Sequence, residues 1–98
     1  QKFVETFEII LDSLRNKTYY FKHMTITDFK EGTKVSIVEI KGTPIVQNYF
    51  LSHGIENFTL LKVLKSGDKS LFKIEKEDGE VLTLDILDAK NLIGVKAD

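Results

Sequence analysis

The stretch from Val35 to Gly54 carries an ordered set of local signals that restricts the fold more than any other part of the chain. Apolar and polar residues alternate from Val35 to Ile40, which is the period of a half-buried β-strand. Thr43 then supplies an N-cap, Pro44 a first helical residue and Gly54 the stop of a short helix. This order predicts a small strand-rich domain with one helix inserted after its first strand.

Four further short runs with the texture of strands follow this helix. They are Leu60–Leu64, Leu71–Ile74, Val81–Ile86 and Ile93–Lys96. The Asp78-Gly79 pair is typical of a tight hairpin turn, and Asp88 is expected to cap a second helical turn that ends at Leu92. We therefore predict a mainly β fold, a small SH3-like and partly open β-barrel of about five strands over residues 24–98.

The composition limits the chain to one domain and argues against several classes of function. With 98 residues, of which 42% are hydrophobic, the chain can bury a single core. Its 14 Lys and Arg against 15 Asp and Glu give a net charge of -1, so no nucleic-acid partner is expected. No cysteine is present, and no apolar run approaches the roughly 20 residues that span a bilayer, so we do not expect membrane insertion.

Residues 1–23 are predicted to form an N-terminal amphipathic helix and a linker. In the helix, residues 2–15, apolar side chains recur at helical spacing without glycine or proline, whereas Thr18–His23 is expected to be extended. The apolar stripe consists of Phe3, Phe7, Ile10, Leu11 and Leu14. Because about four helical turns are marginal alone, we expect this stripe to pack against its own barrel, and the alternative is that it recruits a partner or a second copy of the chain as a homodimer.

Residues 24–95 resemble the ferrous iron transport protein A (FeoA) family, which is similar to the C-terminal SH3-like domain of iron- and manganese-responsive repressors. The resemblance rests on an ordered set of apolar and glycine positions and one Gly-Asp turn. These are Ile26, Phe29, Gly32, Val35, Ile37, Ile40, Gly42, Leu51, Gly54, Ile55, Val63, Leu64, Gly67, Asp68, Gly79, Leu82, Leu84, Ala89, Leu92 and Ile93. The resemblance implies an SH3-like barrel.

The chain departs from the family pattern at two places. Phe58 stands where the family commonly has a second glycine, so the turn into the next strand is expected to differ. The inserted helix of the family is often rich in arginine, whereas Val46–His53 contains neither Arg nor Lys. A basic partner surface on this helix is therefore not expected.

Candidate metal-ligating residues are few, and no catalytic motif accompanies them. His23 and His53 are the only histidines, and His53 is the better metal candidate, although roles without a metal are favoured for both. A solvated turn is likewise favoured over a cation site at the acidic hairpin from Glu75 to Glu80. Lysines on two neighbouring runs (Lys62, Lys65, Lys69, Lys73 and Lys76) are taken as a solvated sheet face rather than a basic binding face. No nucleophile elbow, phosphate-binding glycine loop or zinc-protease helix is present, so we predict no enzyme.

The resemblance implies a non-catalytic, cytoplasmic accessory protein that contacts the cytoplasmic part of the membrane GTPase transporter for ferrous iron. The implied protein requires no cofactor. Binding of a divalent metal such as iron is suggested by the family resemblance alone. The predicted partner-binding residues are Val46, Tyr49, Phe50, His53, Gly54 and Ile55. The first alternative is the C-terminal domain of an iron- or manganese-dependent DtxR-type repressor, and the second is a small cation- or nucleic-acid-binding barrel.

Overall fold

The computed structural model of the chain describes the backbone of residues 7–12 and 17–22 and the complete residues 23–97. In chain order, its elements are β1 (Phe7–Asp12), β2 (Lys17–Lys22), β3 (Met24–Thr25), a 3-10 turn (Ile26–Asp28), β4 (Lys34–Ile40), α1 (Pro44–Ser52), β5 (Leu60–Leu64), β6 (Leu71–Lys76), β7 (Val81–Asp85), α2 (Ile86–Ala89) and β8 (Leu92–Lys96). The protein is therefore mainly β, as predicted.

Six of the strands form one antiparallel sheet in the order β3-β8-β4-β5-β6-β7, which does not close on itself. This sheet confirms the predicted SH3-like open barrel, with the short β3 as an additional edge strand. Each strand predicted from alternation is present, with bounds that differ by a residue or two. Strand alternation is a strong signal here because one face of each strand from β4 to β8 is buried.

The second helical turn starts earlier than the sequence predicted. It spans Ile86–Ala89, and its cap is Asp85, whose Oδ1 accepts a 2.9 Å hydrogen bond from the Leu87 N–H. Asp88 lies inside the turn instead of capping it. Asp85 can act as the cap because β7 ends there, and its backbone is still extended.

The predicted N-terminal helix is wrong over the described part of residues 2–15. Phe7–Asp12 is a strand that pairs antiparallel with Lys17–Lys22, in a separate two-stranded sheet. A strand repeats every two residues and a helix about every 3.6, so the stripe through Phe7, Ile10 and Leu11 does not exist as a helical face. The remaining stripe positions, Phe3 and Leu14, lie outside the described residues, whereas the extended segment predicted after them is confirmed by β2.

The core of the barrel lies on the concave face of the six-stranded sheet. It contains Ile26, Val35, Ile37, Phe50, Ile55, Leu61, Val63, Phe72, Ile74, Leu82, Leu84, Ala89 and Leu92. Phe50 is the only one of these contributed by α1, so this side chain anchors the helix on the sheet. Neither helix of the described residues has the length and hydrophobicity needed to cross a membrane.

Candidate functional site: the α1 surface and its neighbours

The ends of α1 are fixed by local hydrogen bonds that the sequence predicts. Thr43 Oγ1 accepts a 3.3 Å bond from the Val46 N–H, and Pro44 occupies the first turn. At the other end Gly54 has a φ of 79°, and its N–H donates to the Leu51 carbonyl at 2.9 Å. The Ile55 N–H reaches the Phe50 carbonyl at 2.9 Å, which completes a Schellman motif.

The six predicted partner-binding residues separate into a buried and a surface group. Phe50 and Ile55 are fully buried, because the Schellman motif brings them together in the core. They support the surface but cannot touch a partner without unfolding. Val46 is half-buried and packs on the core, whereas Tyr49 is 41% exposed. Gly54 is exposed and His53 is partly exposed.

Two exposed apolar residues of α1 were missed by the sequence reasoning. Ile45 is 82% exposed and Leu51 is 53% exposed. A helix whose buried face runs through Val46 and Phe50 turns these neighbouring positions toward solvent, but the sequence does not say which apolar positions of the helix are buried. The surface of α1 is therefore apolar without being basic.

His53 takes part in a polar cluster that ties the end of α1 to the hairpin between β6 and β7. Its ring lies 4.7 Å from that of Tyr49, and its Nδ1 lies 3.7 Å from Glu80 Oε2. Glu80 Oε1 accepts a 3.0 Å hydrogen bond from Lys76 Nζ, and Asp78 lies 3.7 Å from the same nitrogen. The bond to Glu80 raises the pKa of Lys76, and burial opposes this shift only in part.

This cluster does not have the composition of a metal site. Among the described residues, no three His, Asp or Glu side chains come together in a way that could hold a metal ion. The nearest acidic partner of His53 is Glu80, which already accepts a hydrogen bond from Lys76. His53 is thus placed as a helix-end residue within an ion-pair cluster.

The predicted lysine face is mixed in charge. Lys62 of β5 lies in register with Lys34 on one side and with Glu75 on the other. Lys76 points into the polar cluster, with only 15% of its side chain exposed. In this row across the sheet, two lysines are followed by a glutamate, so the row is not a continuous basic track for a phosphate backbone.

Phe58 occupies the turn between α1 and β5, and its backbone has a φ of 73°, unlike any other non-glycine residue described. The Thr59 N–H donates to the Glu56 carbonyl at 3.1 Å, so Phe58 is the third residue of a type II-like turn. That position favours glycine. The departure from the family pattern noted in the sequence thus leaves an aromatic residue in a glycine conformation, with 78% of it exposed.

Phe58→Gly is expected to raise the free energy of unfolding above that of Phe58→Ala by about 1 kcal/mol. A left-handed backbone costs an L-residue about 1–2 kcal/mol, and the extra entropy of unfolded glycine offsets part of that gain. Urea denaturation of the two variants measures the difference, and Phe58→Ala is the matched control because it removes the ring but keeps the Cβ. Equal stabilities would show that the backbone at this position is unstrained.

A surface groove of about 410 Å³ lies between α1 and β4, next to this turn. The register of β4 against β8 shifts between Ile37 and Glu39, which leaves Val38 as the extra residue of a β-bulge. Val38, Ile40 and Leu51 supply its apolar lining, and Glu39 and Glu56 supply its charges. The bulge, the helix and the turn thus meet at one concave surface.

No protein-family model matches the chain, and no curated protein matches its sequence. Solved structures do share its fold. An iron uptake regulatory protein, FeoA, superposes with a TM-score of 0.68 at 19% identity, covering 76% of this chain and 99% of FeoA. A manganese-dependent transcriptional repressor in complex with manganese superposes with a TM-score of 0.70 at 19% identity, covering 76% of this chain and 37% of the repressor.

A second structure of a manganese-dependent transcriptional repressor superposes with a TM-score of 0.71 at 16% identity. The match covers 85% of this chain and 46% of that repressor, so the chain spans less than half of the length of either repressor. At these identities the likeness establishes the fold. The chain has the FeoA-like SH3-like fold that its sequence resembles.

Proposed function

We propose that the protein is a non-catalytic, cytoplasmic accessory protein of ferrous iron transport that acts by contacting the cytoplasmic GTPase part of the membrane transporter. The observation that carries this proposal is the fold match over 99% of FeoA, a protein described as an iron uptake regulator. The shared fold accounts for nearly all of that chain, so the comparison extends over the whole of FeoA and not over one of several domains. The exposed apolar surface of α1 supports contact with a protein, because aromatic and aliphatic side chains commonly anchor such interfaces.

Binding between this chain and the cytoplasmic part of a ferrous iron transporter from the same organism tests the proposal. We expect saturable binding in calorimetry, unchanged by a chelator, because the proposed contact needs no metal. Replacing Ile45 by Ser together with Tyr49 by Ala should weaken it at least about tenfold, as for central interface residues. Leu87→Ser is the matched control, since Leu87 is also an exposed apolar helical residue, on α2. Absence of binding by the unaltered chain would refute the proposal.

The second candidate function is that of a C-terminal domain in a metal-dependent repressor of the DtxR type. It is favoured by the match that covers 85% of this chain, which extends further along the chain than the match to FeoA. The sequence encoded upstream of Gln1 separates the two candidates. A helix-turn-helix domain there would establish the repressor and exclude the accessory protein, whereas a neighbouring transporter gene would support the transporter contact.

A further inference from the structure

The groove between α1 and β4 combines an apolar lining with an acidic charge. Val38 is placed there by a β-bulge, a device that often re-aims a side chain next to functional sites. Leu51 lines the groove from α1 and is 53% exposed. Burial of this apolar side chain under a partner would lower the free energy. The groove is thus formed by β4, α1 and the turn after α1, which are consecutive along the chain and are brought side by side by packing.

Phe58 adds an exposed aromatic ring, carried by a strained backbone, beside the groove. It directly follows Asn57, one of the lining residues, and its N–H donates to the Ile37 carbonyl at 2.6 Å, next to the bulged Val38. With 78% of the residue exposed, packing in the free protein does not offset the cost of its left-handed backbone. Glycine would relieve the backbone strain, so folding stability does not explain why an aromatic residue occupies this position.

The charges of the groove identify the chemistry of its partner. Glu39 and Glu56 are both exposed at the groove, and no lysine or arginine lines it. Among residues 23–97, neither carboxylate forms a salt bridge. The two carboxylates repel nucleic-acid phosphates and anionic lipid headgroups, but they attract lysine and arginine. A partner protein with cations beside an apolar anchor complements this surface.

We propose that this groove binds a partner protein segment in which an aromatic or aliphatic side chain is flanked by lysine or arginine. The apolar side chain enters between Leu51 and Val38, Phe58 packs against it from the adjoining turn, and the cations pair with Glu39 and Glu56. This inference deepens the proposed function, because it names the chemistry of the segment that a protein-contact role requires. It also assigns a use to the strained aromatic residue.

Selection from a displayed library of ten-residue random peptides against the full chain tests the inference. Peptides that also bind the double variant Glu39→Lys, Glu56→Lys are removed by counter-selection. The surviving peptides should carry Lys or Arg beside Leu, Ile, Phe or Trp, and their affinity should fall at least about tenfold in the double variant. Glu77→Lys is the matched control, because Glu77 is an exposed carboxylate on the β6–β7 hairpin.

The two Phe58 variants distinguish a binding role from a structural one. Phe58→Ala and Phe58→Gly should both lower the affinity for the selected peptides about tenfold, although the glycine variant is the more stable of the two. Chemical-shift changes in a labelled sample should centre on β4, the C-terminal half of α1 and residues 56–59. Selected peptides that are acidic or uncharged, or that bind all variants equally, would overturn the inference. A dimer in sedimentation that Phe58→Ala dissolves would overturn it too, since a second copy would then cover the groove.

Failure of this inference is separable from failure of the proposed function. If the cytoplasmic part of the transporter binds this chain and also binds the double variant Glu39→Lys, Glu56→Lys equally well, the transporter contact stands and the groove is not part of it. If basic peptides bind the groove while the transporter does not, the groove inference stands and the proposed partner is wrong.

Discussion

Phe50→Ala is expected to lower the free energy of unfolding by about 3–5 kcal/mol, the usual cost of deleting a buried phenylalanine. Phe50 is fully buried, and it is the sole side chain by which α1 enters the buried core of the described residues. Its loss removes the apolar contact and leaves a cavity under the helix. The backbone carbonyl of residue 50, which accepts the Ile55 N–H, is kept in the variant, so the loss reports on the side chain.

The measurement is urea denaturation followed by circular dichroism, with Leu51→Ala as the matched control. Leu51 is the next residue of the same helix, but it is 53% exposed, so its truncation should change stability by about 0.5 kcal/mol or less. If Phe50→Ala is too unstable to refold, Phe50→Leu retains part of the contact and should show a smaller loss. Equal effects at the two positions would contradict the placement of α1 on the sheet.

Gly94→Ala is expected to destabilise the protein by about 1–3 kcal/mol through overpacking between β8 and β4. An added Cβ would lie 2.4 Å from Val35 Cγ1 and 2.7 Å from the Ser36 carbonyl oxygen. The oxygen belongs to the backbone of a central strand, so it cannot move aside without disturbing the ladder. Gly94 pairs with Ile37 just before the β4 bulge, and the strain would therefore fall on one wall of the groove.

Gly67→Ala is the matched control for this prediction. No atom lies within 4 Å of a Cβ added at Gly67, and its φ is not in the left-handed region. Its substitution should therefore change the unfolding free energy by about 0.5 kcal/mol or less. If Gly94→Ala proves as mild as Gly67→Ala, β4 and β8 cannot be packed as closely as described.

The strands of the barrel and the bounds of α1 could be predicted from sequence because their signals are local. A strand with one buried face imposes alternation on its own residues, and a cap bonds to an N–H only three residues away, as Thr43 does with Val46. The N-terminal segment shows the limit of such signals. Its apolar residues fit a helical period, yet Phe7–Asp12 is a strand because it pairs with Lys17–Lys22, and the hydrophobic pattern of one segment does not contain its pairing with another.

The candidate site was predictable only in part. The helix and its closing glycine were found, and Tyr49 and His53 do lie on the surface, but Phe50 and Ile55 belong to the core. The helical hydrophobic pattern marks which residues are apolar without fixing how the helix is rotated on the sheet. That rotation also exposes Ile45 and Leu51, so a partner can reach them as well as Tyr49 and His53.

The sequence alone determined the strands, the inserted helix and the presence of an aromatic residue at a position where the family that the sequence resembles commonly has glycine. The strands and the helix could be predicted because their signals come from interactions within a few residues along the chain. Only the tertiary structure decided that Phe58 is left-handed and exposed and that it adjoins an acidic groove between α1 and the bulge of β4. The groove exists because α1 packs on the sheet and because the register of β4 shifts against β8, which is far away in sequence, and no local pattern encodes either arrangement.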